Sequence, residues 1–568
     1  MKYLIVEKSA SKGYAMGKAY IVQKQSLDAD KYPICSDDVD TEIRKYREAV
    51  KDAALQLEKL AKTDDILMAH LEMVQDPAFS DGVIEKIKSL QNAQLAVDNT
   101  ANEFAAIFDA MEDEYMKERG ADVRDVRNRL MRSLKGIKQD GFEDINSKVI
   151  LIAEDLAPSD MSNINLDYVL GIATEYGGVT SHVSIMARNL GLPALVGVKD
   201  LTKEVDSEDY LILDASAGKI IINPDQETID RYKALDEEYR RREKELKASV
   251  HLPAVTPDGR TVKVYANVGN IFDIQNAANN GIKGIGLFRT ETLYMESAHF
   301  PTEDEQFEVY KKAAILCPEE VTIRTLDIGG DKSLPYYQFD HEDNPFLGWR
   351  AIRMSLELKD IFKTQLRAIL RASAFGRIRI MYPMIASLEE LEEANEILMA
   401  CKEELTQSGI VFDPDIKAGI MIETPAAVLC ADALAEHADF FSIGTNDLTQ
   451  YVLAVDRGNK KIARLYDPFH PAVIRSIKHV IESGHARGIE VGMCGELAGN
   501  ADATVLLLGL GLDEFSMSVS EIASIKDIIR RTPYKKAAEC AEKAASACRK
   551  EEVRNILNGY NCRLLSMQ

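Results

Sequence analysis

No two cysteines of this chain stand at C-x-x-C spacing, and its eight cysteines, at 35, 317, 401, 430, 494, 540, 548 and 562, follow no zinc-ligand pattern. A structural zinc module and a disulfide framework are both excluded, and the thiols read as the reduced cysteines of a cytosolic protein. Long apolar runs are missing too. Met1-Lys2-Tyr3-Leu4-Ile5-Val6 is followed at once by Glu7 and Lys8, which leaves too short a stretch for a signal peptide, and no uncharged segment is long enough to cross a membrane. Positive charge is scarce: 69 Lys and Arg face 92 Asp and Glu, for a net charge of −23. That balance disfavours nucleic acid and anionic membrane surfaces as partners, and any phosphate site must be a local basic exception. With 46 % hydrophobic and 28 % charged residues, the composition also lacks the bias of a disordered chain. A multidomain cytoplasmic protein remains, whose 568 residues suffice for about three or four domains.

Strand-like segments alternate with one long helical block in the first part of the chain. Residues up to about Gln23 read as strands joined by a glycine turn, with Lys12-Gly13-Tyr14 ahead of the β-like Tyr20-Ile21-Val22. Helical periodicity then runs over Ile43 to Leu60, Ile66 to Val74, Phe79 to Leu90 and Ala93 to Met131. Strand character returns at Val149–Ala153, so the helices (24–143) are predicted as an insertion into an α/β domain made of 1–23 and 144–226. Glu227 to Lys247 is a highly charged helix with opposite-sign i,i+4 pairs such as Glu237 and Arg241, the pattern of a solvated linker spanning 227–250. From 251 to 568 eight strand candidates are spaced by helices: Val262–Val268, Gly284–Arg289, Val321–Leu326, Ile378–Pro383, Ala418–Glu423, Phe440–Gly444, Glu490–Cys494 and Glu514–Ser518. They predict a (β/α)8 barrel, with Lys535 to Leu557 as a helix on its outside.

Two places carry chemistry-bearing residues. Gly177-Gly178-Val179-Thr180-Ser181-His182 puts an imidazole at a glycine turn that opens into a helix, where unpaired amides favour an anion and a neutral histidine can act as nucleophile. A capped turn with a structural histidine is the plainer alternative. The second place is the carboxyl end of the predicted barrel, the face on which such folds carry their active sites. Arg289, Arg324, Lys332, Glu423, Asn446, Asp447, Arg457 and Cys494 all fall at or just past strand ends. Guanidinium forks suit carboxylate and phosphate oxygens, and the two carboxylates Glu423 and Asp447 supply hard ligands for Mg²⁺. The ligand implied is a small phosphorylated acid. Cys494 is open to two readings, a small buried hydrophobe or a thiol exchanging a proton with a substrate carbon.

Taken together, these motifs resemble one family nearly end to end. Gly286-Leu287-Phe288-Arg289-Thr290-Glu291, Arg324-Thr325-Leu326-Asp327-Ile328-Gly329-Gly330-Asp331-Lys332 and Asn344-Pro345-Phe346-Leu347-Gly348-Trp349-Arg350 are similar to motifs of the phosphoenolpyruvate-utilising phosphotransferases. So are the His182 turn, Thr445-Asn446-Asp447-Leu448-Thr449-Gln450-Tyr451, Asp456-Arg457-Gly458-Asn459 and Gly492-Met493-Cys494-Gly495-Glu496. The likeness is strongest to the enzyme I group of the bacterial sugar phosphotransferase system. It implies a swivelling phosphohistidine domain and a barrel that binds phosphoenolpyruvate and forms a homodimer. His182 would be the phospho-acceptor and Cys494 the proton donor that yields pyruvate. Arg289, Arg324, Asn446, Asp447 and Arg457 would bind substrate, with Arg350 and Lys332 near the phosphate and Glu423 and Asp447 holding Mg²⁺. The inserted helices would be the docking platform for the histidine phosphocarrier protein HPr, with His70, Met73, Phe79 and Arg119 as candidate contacts, although Met and Phe at helical spacing also suit a core. Ser11-Lys12-Gly13 departs from the family, in which many members have proline between the small residue and glycine.

Relatives that phosphorylate with ATP add a large nucleotide-binding domain, and a nitrogen-related paralogue adds an amino-terminal sensory domain; neither is expected here. A lyase or aldolase on the barrel alone would leave His182 without a purpose, and an interaction scaffold with an inactive barrel would leave the rim charges without one.

Overall fold

The computed structural model describes the chain except residues 1, 7–8, 23–26, 61–69, 72, 110–113, 137–144, 146, 157–165, 178–181, 208, 331, 333, 335, 460 and 566–568, together with some side chains inside helices. It divides into two compact units, Met1–Glu243 and Lys244–Gln568.

The first unit is built on an eight-stranded mixed sheet. Strands β1 (Lys2–Ile5), β2 (Ser9–Ser11), β3 (Tyr14–Ile21), β4 (Val149–Ala153), β5 (Val169–Thr174), β6 (Ala194–Leu195), β7 (Tyr210–Asp214) and β8 (Lys219–Ile222) are ordered β1-β8-β7-β3-β4-β5-β6-β2. The centre, β3 to β6, is parallel, and β4 is buried on both faces, as its unbroken Val-Ile-Leu-Ile-Ala run requires. Between β3 and β4 runs a helical bundle containing α1 (Val39–Leu60), α2 (Pro77–Lys88), α3 (Ala93–Asp109) and α4 (Glu114–Leu134). Asp76 caps α2 by accepting from the Ala78 and Phe79 amides, with Pro77 preset at the first helical position. The bundle has its own core, in which Tyr46, Leu57, Phe79, Val97 and Leu130 meet.

One helix expected over Ala93 to Met131 is in fact the pair α3 and α4, which pack on each other. A single helix of that length would extend about 60 Å, beyond the reach of so small a core, and its apolar stripe is buried only by folding back. The helix expected at Ile66–Val74 lies largely outside the described residues, of which His70, Leu71, Met73 and Val74 are helical.

In the second unit all eight strands stand where their apolar runs placed them, within two residues at each end: β10 (Thr261–Val268), β11 (Gly284–Phe288), β12 (Glu320–Arg324), β13 (Ile378–Tyr382), β14 (Lys417–Ile422), β15 (Phe440–Ile443), β16 (Glu490–Met493) and β17 (Glu514–Met517). Every neighbouring pair is parallel and β10 also pairs with β11, so the sheet closes into a barrel; the short β9 (Ala254–Val255) adds antiparallel to β10. Across the amino ends of the strands lies an ion network. Arg379 meets Glu514 at 2.7 Å and Glu320 at 3.2 Å, and Lys263 bridges Glu320 and Glu490 at 3.0 and 2.8 Å.

The expected helix Lys535–Leu557 is also two, Tyr534–Ser546 and Lys550–Leu565. Ala547 is extended, and the guanidinium of Arg475 donates to the carbonyls of Ala545 and Ala547, ending the first helix by satisfying its last acceptors. Among the described residues no helix is long and apolar enough to cross a membrane.

Candidate active site at the carboxyl ends of the barrel strands

Arg324 is the last residue of β12, and Arg289, Glu423 and Cys494 each directly follow a strand that is buried up to the rim. Two of these ends are tied together from outside the barrel. Buried Gln365, on the helix Lys359–Ser373, accepts from the Leu326 amide at 2.9 Å and donates to the Thr290 hydroxyl at 3.2 Å. That hydroxyl donates in turn to the Arg324 carbonyl at 3.0 Å. The loops after β11 and β12 are thereby held in register.

Around Arg324 the charges interlock. Its guanidinium lies 2.5 Å from Glu291 and 3.1 Å from Asp327. Asp327 also receives Arg350, with Nη2 at 2.7 Å and Nε at 3.3 Å, and the Lys332 ammonium donates to the Asp327 carbonyl at 2.7 Å. All four of Glu291, Arg324, Asp327 and Arg350 are buried. Burial works against the charged Arg324, but Glu291, Asp327 and Glu423 outweigh it and raise its pKa. Burial likewise works against ionised Asp327, and Arg324, Arg350 and Lys332 outweigh it, holding this carboxyl well below the usual range. Neither Glu291 nor Asp327 was singled out for a role in the sequence. Both stand inside the motifs that supplied the arginines, yet their pairing depends on contacts between separate strand ends.

Glu423 and Asp447 form the second feature. Glu423 is fully buried and accepts from the Met384 amide at 2.7 Å. Desolvation, then the nearby Asp447 and Asp327, push its pKa up to about 8. Two hard carboxylates, one of them kept protonated first by burial and then by its acidic neighbours, fit a divalent cation, which would supply the missing counter-charge. Asp447 lies on the helix Thr445–Leu453, 3.8 Å from the half-exposed Arg457. Asn446 and Glu496 exchange hydrogen bonds, the amide donating to the carboxylate at 3.3 Å and the Glu496 backbone donating back at 3.1 Å. Tyr451 of the same helix donates to the Phe346 carbonyl at 2.5 Å and so fastens the loop that carries Arg350. Arg289 stands exposed at the end of β11.

Cys494 is 4 % exposed and packs with Leu287, Met381, Met421 and Phe440 inside the barrel. Burial pushes its thiol up to about 11, so the sulfur keeps its proton at neutral pH. Arg324 touches the same apolar group through Met421, with its Nη1 3.6 Å from the sulfur. The structure therefore brings Arg324, Arg350, Lys332, Asn446, Asp447, Arg457, Glu423 and Cys494 to one end of the barrel.

The remaining sequence candidates lie in the first unit. His182 is the first residue of the helix His182–Leu190, and Gly177 takes the left-handed conformation (φ 110°) just before the turn; residues 178–181 and the His182 side chain fall outside the described residues. Ahead of Gly177, Thr174 donates to the Tyr176 carbonyl at 2.7 Å. Of the candidate partner contacts, Phe79 is 1 % exposed in the bundle core, stacked edge-on to Phe104. His70 is equally buried and lies 3.2 Å from Asp122 and 3.4 Å from Asp125. Both correct the sequence expectation of surface contacts, because helical periodicity marks the apolar face without saying which side of it a partner covers. Met73 is half-buried against the same core, and the Arg119 side chain lies outside the described residues.

Among the described residues, Glu320, Glu490 and Glu514 are also near enough to one another to suggest a metal site. They lie at the opposite end of the barrel, where Lys263 and Arg379 already pair with them.

Comparison with known proteins assigns these parts to one family. The chain matches the models for the PEP-utilising enzyme N-terminal domain over residues 8–119, the mobile domain over 145–218 and the PEP-binding domain over 243–534. It is 44 % identical over 562 residues to the phosphoenolpyruvate-protein phosphotransferase of Haemophilus influenzae, covering 97 % of this chain and 98 % of that one. The protein of the same name from Bacillus sp. (strain S) is 45 % identical over 556 residues, covering 96 % of each chain, and that of Staphylococcus aureus 42 % over 571 residues, covering 99 % of this chain and 100 % of that one. With matches of this extent across both units, the chain belongs to the phosphoenolpyruvate-protein phosphotransferases.

Proposed function

We propose that the barrel rim binds phosphoenolpyruvate, that its phosphoryl group passes to His182, and that the phosphohistidine then donates to the carrier HPr as the first step of sugar uptake by the phosphotransferase system. The observation that carries this reading is the convergence of Arg324, Arg350 and Lys332 with the Glu423–Asp447 pair beside a protonated thiol. The guanidiniums and Lys332 bind and orient the phosphate, and Arg289 and Arg457 add charge from the open side. Catalysis by such a site is mostly placement and charge neutralisation, as general phosphoryl-transfer chemistry requires. Glu423 and Asp447 would hold Mg²⁺, which when bound neutralises phosphate oxygens. Loss of the phosphoryl group leaves an enolate, and Cys494, kept neutral by burial, delivers the proton to its carbon and yields pyruvate.

His182 acts as nucleophile through a ring nitrogen, and its place at the first turn of a helix suits the resulting phosphoryl charge. The helical bundle is the docking platform for HPr, the barrel the homodimer interface and the cytoplasm the compartment. Because Phe79 and His70 are buried, they shape that platform from beneath, and Met73 and Arg119 are the direct contacts proposed.

Mixing the chain with phosphoenolpyruvate and Mg²⁺, without carrier, should release a burst of about one pyruvate per chain, since one histidine accepts the phosphoryl group. A chain that forms no pyruvate contradicts the reading. Cys494→Ala should slow the pyruvate step by roughly 10²-fold, in the range of a lost general acid, while the phosphoryl site still binds substrate. Unchanged pyruvate formation would return Cys494 to a packing role.

A further inference from the structure

We infer that Asp327 is a positioning residue for the phosphoryl-binding guanidiniums: one buried carboxylate sets the separation of Arg324 and Arg350. The inference rests on the proposed binding of phosphoenolpyruvate at this rim, and it concerns a residue with no part in that scheme.

Geometry singles out Asp327 among the rim carboxylates. Oδ1 takes Arg350 at 2.7 and 3.3 Å, and Oδ2 takes Arg324 at 3.1 Å, so each oxygen serves a different arginine. Its own main-chain carbonyl receives Lys332. Three cations proposed to meet phosphate therefore converge on one residue that follows β12 by three positions. Glu291 fixes Arg324 from the other side, at 2.5 Å.

The surroundings explain why the arrangement needs a carboxylate. Arg324 and Arg350 are both buried, and two guanidiniums brought together without a counter-charge would repel in a medium that screens poorly. Asp327 turns that repulsion into two attractions. Its backbone is fixed as well: the Ala351 amide donates to the Ile328 carbonyl at 3.1 Å, joining the two ends of the loop on which Asp327 and Arg350 sit. A phosphate in the site consequently meets a preset pair of forks instead of two mobile side chains, which saves the ordering cost on binding.

Asp327→Asn keeps the shape and one acceptor oxygen but removes the charge that serves both arginines. In the full-length chain with saturating Mg²⁺, it should lower kcat/KM for phosphoenolpyruvate by roughly 10²-fold, the cost of about 1 Å of misplacement, mostly through KM. Competition by inorganic phosphate should weaken in parallel. The decisive readout is the double variant Asp327→Asn with Arg350→Lys. If Asp327 acts through Arg350, the two losses do not multiply, and the second substitution costs no more than about threefold once the first is present.

Kinetics of Asp327→Asn within threefold of the parent, or two losses that multiply fully, would overturn the inference. Should Asp327→Asn not fold, judged by loss of a cooperative thermal transition, Asp327→Glu restores the charge with a longer reach; a roughly tenfold loss supports positioning, and parent-like kinetics contradict it. A parent chain that releases no pyruvate overturns the underlying function, and the inference with it.

Discussion

Replacing Arg324 by Met should lower kcat/KM for phosphoenolpyruvate by at least roughly 10³-fold, the upper range for losing one preorganised donor at a site of developing charge. Two effects combine. The guanidinium is the only cation at the rim that contacts Glu291, Asp327 and the sulfur of Met421 together among the described residues, so its loss removes a proposed phosphate ligand and the wall beside Cys494. It also leaves Glu291 and Asp327 buried, with only part of their compensation. Breaking a buried ion pair in this way typically destabilises by about 3–5 kcal/mol, so the thermal transition of the barrel should fall as well. Arg324→Lys separates the contributions. It keeps the charge but cannot reach Glu291 and Asp327 with one planar fork, so stability should largely return while activity stays depressed. Full activity in Arg324→Lys would mean that charge alone matters there.

Glu423→Gln should produce the second large change, a loss of roughly 10²–10³-fold in Mg²⁺-supported turnover together with an altered pH profile of stability. In the metal-free chain the Glu423 carboxyl has a pKa of about 8, against an ordinary value of 4.5. A raised carboxyl pKa means that the folded state binds the proton more tightly than the unfolded state. The stabilising contribution is therefore fully present below about pH 4.5 and is lost progressively as pH rises through about 8. Between pH 6.5 and 8 the parent should lose on the order of 2 kcal/mol that Glu423→Gln, having no charge to desolvate, does not lose. Mg²⁺ needs the ionised carboxylate, so the stabilisation it gives should grow over the same interval and be largely absent in the variant. Denaturant unfolding at both pH values, with and without Mg²⁺, measures all of this. A parent chain whose metal-free stability rises from pH 6.5 to 8 relative to the variant would contradict the assigned environment of Glu423.

The barrel was legible because most of its strands are short, largely apolar runs, and several of them stop at a polar residue. Met421-Ile422-Glu423 and Val491-Gly492-Met493-Cys494 show the pattern: buried strand, then a residue proposed for the site at the first position outside the ladder. Local propensity and the location of function coincide there, so reading one gives the other. Asp327 and Glu291 lay in plain view in the same motifs, yet what they do depends on which arginine reaches them across two loops, and that is a tertiary fact. Gln365 was hidden for the same reason, since a glutamine in mid-helix carries no local signal that it will tie two strand ends together. Periodicity also misjudged continuity in the helices. Ala93 to Met131 keeps its apolar stripe through a reversal, and Lys535 to Leu557 conceals the extended Ala547 that Arg475 caps. His70 and Phe79 show the remaining limit, because an apolar stripe identifies a face to be covered and here the bundle itself covers it.

The central claim is that the phosphoryl group of phosphoenolpyruvate comes to rest on His182. Incubating the chain with Mg²⁺ and phosphoenolpyruvate labelled in its phosphate, digesting under alkaline conditions and mapping the label tests it most directly. Acid-labile label confined to the peptide containing His182, and none in the His182→Ala chain, is the expected result; label on another residue, or label that persists in His182→Ala, would contradict it.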